Sequence, residues 1–138
     1  MRPAAGALVD SSVLLDIFTE DPEWLDWSQA RLIECTRRGP LILNAVILAE
    51  VAPRFSLIED LRSALPSIAQ TEEVPASAAF LAGHAHAAYR RAGGAREAIL
   101  PDFLIGAHAA VTDRPLLTRD PRRVAAYIPG AKLISPNQ

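Results

Sequence analysis

One cysteine, one lysine and one methionine are spread over 138 residues, and aromatic residues make up only 6% of them. With Cys35 alone there can be no internal disulfide, which fits a reducing compartment. The single lysine, Lys132, stands near the C-terminus, so the basic side of the chain is arginine almost throughout. A net charge of −2 excludes a protein-wide basic field that would gather nucleic acid, and leaves any such grip to a local arginine patch. Apolar runs fall well short of the ~20 residues that a membrane span requires, and no basic-then-apolar leader opens the chain. These absences read together as a cytoplasmic protein that does not enter a membrane. No repeat, low-complexity segment or linker divides the sequence, so residues 1–138 read as one domain, long enough to bury most of its apolar surface.

What is present is an alternation. Short apolar runs at residues 7–9, 41–43, 115–118 and 132–134 are separated by longer stretches of helical period, the pattern of an α/β domain with a mostly parallel central sheet flanked by helices. Residues 7–9 lack polar alternation, as a strand buried on both faces does. Residues 24–38 predict a helix ending in Arg37, Arg38 and Gly39, with basic residues at its C-terminus. Asn44 predicts a cap for a helix through Ala52, which Pro53 interrupts, and a further helix extends to about Leu65. A short strand is expected at residues 72–74 and a long helix at 76–92, ended by Gly93 and Gly94. Another helix opens at Pro101, and a short one follows Pro121.

Four acids stand in places that acids avoid. Asp10 follows the first strand; Glu50 sits in AVILAEVA; Asp102 opens LPDFLIGAHAAV; Asp120 follows PLLT. An ionised carboxylate removed from water is costly unless something pairs with it. Each acid has a bland reading: Asp10 and Asp120 as helix caps, Asp102 as a first-turn acid favoured by the helix dipole, Glu50 as a narrow exposed stripe. Taken together they have a better one. In parallel α/β sheets, sites collect beyond the carboxyl ends of the strands. Four carboxylates gathered there would repel one another unless a hard divalent cation, Mg²⁺ or Mn²⁺, sat among them. Asp10 and Asp102 are the expected main ligands, with Asp120 binding directly or through water and Glu50 binding the ion or holding one of its waters.

The stretches LVDSSVLLDI, LNAVILAEV, LPDFLIGAHAA and LLTRDPRRVAAYIPGAKLI, in this order and spacing, resemble the PIN-domain family, and most closely its VapC-type toxins of bacterial toxin–antitoxin pairs. The resemblance covers residues 8–135. It implies a PIN-like fold with a parallel sheet, a metal-dependent endoribonuclease site at Asp10, Glu50, Asp102 and Asp120, and hydroxyl positions at Ser11 and Thr118 beside them. It also implies an RNA substrate, a VapB-like antitoxin partner and a homodimer. Val124 departs from the pattern, standing where an aromatic is common.

Arg90, Arg91 and Arg96 flank a glycine pair just before Asp102, while Arg119, Arg122 and Arg123 surround Asp120. The planar guanidinium fork suits phosphate, although charged helix ends are also merely solvated. His84 and His86 are two apart and face different sides of a helix, and His108 lies mid-helix, so all three read as packing or surface residues. Trp24 and Trp27 are able to stack bases but read first as packing or partner-contact residues. Two other classes compete. A phosphatase or phosphoacceptor α/β domain also places an aspartate after its first strand. It expects a second acid where Ser11 and Ser12 stand, and a lysine for phosphate. A non-catalytic interaction module would keep the acids for a partner alone.

Overall fold

The computed structural model describes residues 5–94 and 99–136. Five three-residue strands, β1 Ala7–Val9, β2 Leu41–Leu43, β3 Ala69–Thr71, β4 Pro115–Leu117 and β5 Lys132–Ile134, form one parallel sheet in the order β3-β2-β1-β4-β5. The helices are α1 Ser11–Phe18, α2 Leu25–Arg38, α3 Ala45–Val51, α4 Ile58–Ala64, α5 Ala76–Arg91, α6 Leu100–Val111 and α7 Arg122–Tyr127. A 3-10 turn at Ala52–Arg54 marks the break that Pro53 imposes between α3 and α4.

The three inner strands are buried on both faces, which explains their unbroken apolar sequence: Leu8, Val9, Leu41, Ile42, Leu43, Leu116 and Leu117 are each 1% exposed or less. The edge strand differs. The sequence places a strand at residues 72–74, but β3 is Ala69–Thr71, paired with β2 in the register Leu41↔Ala69. An edge strand that faces solvent carries no apolar run to announce it. Glu72 gives the ladder one more bond, its N–H donating to Leu43 O at 2.8 Å, while its side chain turns inward to His108 and Arg114.

Helix ends follow their local chemistry. Asn44 caps α3 as its position predicts, its Oδ1 accepting from the Ile47 N–H at 2.9 Å. Gly93 ends α5 at φ +91°, and Gly94 donates back to Tyr89 O, a closure that needs a residue free of the L side-chain restriction. α5 lies along α6, where Tyr89, Phe103 and Tyr127 meet edge to face. α7 closes onto α6 at Gly106, where an added Cβ would lie 2.7 Å from Val124 Cγ1. Val124 is buried there, so a compact side chain at this position matches a glycine across the contact.

Strand order puts the reversal of chain direction between β1 and β4: from β1 the chain moves outward to β2 and β3, then returns to β4 on the other side. Such a switch point leaves a crevice at the carboxyl ends of the two strands. The residues that follow them are Asp10 and Thr118.

Candidate active site

Backbone bonds fix the floor of this crevice. The Asp10 N–H donates to Leu117 O at 2.9 Å and the Thr118 N–H to Ile134 O at 3.0 Å, so both residues are held in line with the ladder. Asp10 occupies the N-cap position of α1, yet its side chain makes no capping bond. Its Oδ2 instead accepts the hydroxyls of Ser12 at 2.9 Å and Thr118 at 2.8 Å. Two hydroxyls on one oxygen orient the carboxylate in a way that helix capping does not require.

Glu50, from the last turn of α3, and Asp102, from the first turn of α6, arrive at the same place. Asp10, Glu50 and Asp102 each offer a carboxylate oxygen within 4.8 Å of the others. Ser11 donates its hydroxyl to Glu50 Oε1 at 2.9 Å. The crevice is a cavity of about 270 Å³, with Asp10, Asp102, Thr118, Arg119 and Asp120 among its walls.

The electrostatics are those of crowded carboxylates whose mutual repulsion the nearby Arg123 offsets only in part. Burial, above all, raises the pKa of Asp10, against the lowering effect of the Thr118 and Ser12 hydrogen bonds. Burial likewise raises Glu50, with the nearby Asp10 charge adding to it. Asp102 is pushed up to about 6, first by burial and then by Asp10 and Glu50. A donor set of three hard oxygens that hold protons above their ordinary range suits a small divalent cation, which takes oxygen ligands and would displace those protons.

The remaining acid stands apart from the three. Asp120 lines the same cavity, but its carboxylate is 45% exposed and lies against Arg122 at 3.3 Å and Arg123 at 3.8 Å. Its N–H donates to Thr118 Oγ1 at 3.2 Å, which places it in the Thr118 network rather than in the tight carboxylate group. Arg119, Arg122 and Arg123 are thus at the cavity or its rim. Arg90 and Arg91 are exposed at the end of α5, and Arg96 lies outside the described residues. Ser11, buried, and Thr118, 1% exposed, both touch a site carboxylate.

Residues 7–127 match the model of the PIN domain family. The chain belongs to the PIN domain family. Among solved structures, this PIN domain is similar to VapBC2 from Rickettsia felis bound to a DNA fragment from its promoter, at 18% identity and TM-score 0.69 over 94% of this chain and 97% of that one. It is also similar to a toxin–antitoxin complex from Klebsiella pneumoniae, at 23% identity and TM-score 0.63 over 96% and 98%. FitAcB from Neisseria gonorrhoeae matches at 18% identity and TM-score 0.68 over 94% and 97%. These likenesses are of fold. No curated protein matches the chain by sequence.

Two features of the PIN domain escaped the sequence reading in whole or in part. Asp16, six residues after Asp10 on α1, is 2% exposed and holds Arg119 through both oxygens, at 2.8 and 3.0 Å, with Ser28 donating to it at 2.7 Å. The signal that picked out Glu50, an acid among apolar neighbours, is also present in LLDIF. His108, read as packing, is fully buried and bridges helices: Asn44 Nδ2 lies 3.0 Å from its Nδ1 and Glu72 Oε1 lies 2.9 Å from its Nε2. Because Asn44 Oδ1 is committed to the Ile47 N–H, its amide nitrogen donates to Nδ1, which leaves Nε2 to donate to Glu72.

Proposed function

We propose that this PIN domain is a Mg²⁺- or Mn²⁺-dependent endoribonuclease and the toxin of a toxin–antitoxin pair. The observation that carries the reading is the convergence of Asp10, Glu50 and Asp102, from three separate elements, with oxygens within 4.8 Å at the strand switch point. Asp10, Glu50 and Asp102 would hold the ion, with Asp120 at the rim of the same cavity. A bound divalent ion there supplies an acidified water and neutralises charge on a phosphodiester. The chain's own residues prepare the site for it. Ser12 and Thr118 set the plane of the Asp10 carboxylate, and Ser11 sets that of Glu50; such hydrogen-bonded partners tune ligands without touching the ion. Arg122 and Arg123 bring positive charge to the mouth of an otherwise acidic cavity, where a phosphate backbone has to approach. Arg90, Arg91 and Arg96 are a second arginine group that RNA could engage.

The antitoxin partner is supported by the similar structures, which are toxin–antitoxin complexes. We place the protein in the cytoplasm as a homodimer that a small VapB-like antitoxin inhibits. Among the described residues no helix is long and apolar enough to cross a membrane.

The deciding experiment incubates the purified protein with single-stranded RNA in Mg²⁺ or Mn²⁺, beside an EDTA control. Cleavage should require the metal. Asp10→Asn and Asp102→Asn should each lower turnover by orders of magnitude while leaving the fold intact, since an amide is the poorer ligand at nearly the same shape. Undiminished cleavage in EDTA, or by either variant, overturns the reading.

A further inference from the structure

A second cavity, of about 360 Å³, opens beside the acid site and is lined by Trp24, Arg119, Asp120, Pro121, Arg122 and Pro136. It shares Arg119 and Asp120 with the first, so the two lie side by side. Its walls differ in kind. The acid site presents several carboxylates and hydroxyls; this chamber presents an indole, two proline rings, two guanidiniums and, of the acids, Asp120 alone, so most of its walls are flat or apolar.

The two flat groups are fixed in advance. Trp24 opens α2, its N–H donating to Asp21 Oδ1 at 2.9 Å, and its ring meets Trp27 edge to face at 6.1 Å. The Arg119 guanidinium carbon lies over the Trp24 ring, 5.5 Å from its centroid. Arg119 is itself clamped by both oxygens of the buried Asp16. A guanidinium held in this way is a wall more than a mobile phosphate grip. The exposed cation of this chamber is Arg122, 82% exposed and paired with Asp120 at 3.3 Å. An aromatic in a core would be covered on all sides, but Trp24 is only half-buried and faces an open chamber.

We propose that this chamber is a stacking subsite for one nucleobase of a single-stranded RNA, next to the phosphodiester at the acid site. Trp24 and Arg119 would form the platform, and Arg122 would meet the adjoining phosphate. The substrate class rests on the ribonuclease reading above. The chemistry is that of single-strand recognition generally: aromatic and guanidinium planes take unstacked bases, and a cation tracks the backbone. A platform already held in place loses little side-chain freedom when a base lands on it. Duplex RNA, its bases stacked internally, would gain nothing from the chamber.

The test measures binding without cleavage, using the Asp102→Asn protein in EDTA and short fluorescent single-stranded oligoribonucleotides. In that background Trp24→Ala should weaken binding roughly 5- to 150-fold, the range seen for loss of one base–aromatic stack, and Trp24→Phe should retain most of it. An oligonucleotide abasic at one position should lose about the same factor on the Trp24 protein and nothing further on Trp24→Ala. That non-additivity is something a merely structural tryptophan would not produce. Should Trp24→Ala fail to fold, nucleoside monophosphates should still quench Trp24 fluorescence in a Trp27→Phe background. Binding by Trp24→Ala within twofold of its parent, additive abasic losses, absence of quenching, or no detectable RNA binding overturns the subsite. None of these arms needs turnover, so a failed cleavage assay of the parent would count against the ribonuclease reading alone.

Discussion

At the scale of single residues, the acid group is a balance between attraction for a cation and repulsion within itself. Two unit charges 4.8 Å apart cost on the order of 3 kcal/mol at an effective dielectric of ~20. Asp102 shows it, its pKa raised first by burial and then by Asp10 and Glu50, from an ordinary 3.8 to about 6. The folded protein therefore keeps a proton on Asp102 after the unfolded chain has lost it. Stability from this group is full below about pH 4 and is lost as pH rises towards about 6. Asp102→Asn removes the charge at every pH. The metal-free variant should therefore melt above the metal-free parent at pH 7.5, and the gap should close as pH falls towards 4. Melting curves in EDTA across that window check the sign; a variant that melts lower at pH 7.5 would mark Asp102 as a helix-terminal stabiliser and nothing more. Glu72 behaves oppositely, its pKa held down mainly by Arg114, so its contribution is lost in acid and does not blur the comparison between the two proteins.

At the scale of elements, the site depends on where α3 and α6 sit, and these helices are joined away from the acids. Asn44 caps α3 and donates to His108 of α6, which in turn meets Glu72 beyond β3; Arg114 closes the set on Glu72 and on Ala5 O. α3 has only seven residues, too few to be stable by itself. Its cap and its packing hold Glu50 in place. Asn44→Ala should cost about 1 kcal/mol for the cap and a further ~1–3 kcal/mol for the unpartnered buried Nδ1 of His108. Chemical denaturation of the variant measures the loss. A change below ~0.5 kcal/mol would show that the helices are set by apolar packing alone.

At the scale of the whole molecule, the parallel sheet places all its carboxyl ends on one side, and the strand reversal beside β1 concentrates the acids there. Folding thus builds a site of mutually repelling carboxylates, which a cation would relieve. Mg²⁺ or Mn²⁺ at a hundredfold excess over its dissociation constant should stabilise the parent by about 2.7 kcal/mol, and Asp102→Asn should gain much less. Thermal melts of both proteins with metal and with EDTA separate the cases. Equal gains in the two would place the ion elsewhere.

The alternation of buried runs and helical stretches determined the α/β class, because strands covered on both faces must be apolar throughout. The positions of Asp10, Glu50 and Asp102 were legible too, since an acid among apolar residues is conspicuous wherever it ends up. Asn44 was legible as a cap because capping is local. Strand order, and with it the switch point, came only from the tertiary structure, as did the closeness of Glu50 to the other two acids and the separation of Asp120. The pairing of Asp16 with Arg119 spans 103 positions, and the bridge from Asn44 through His108 to Glu72 joins three elements. Such bonds leave no periodic trace, because what selects them is distance in space, and the chain fixes that only when its layers have packed.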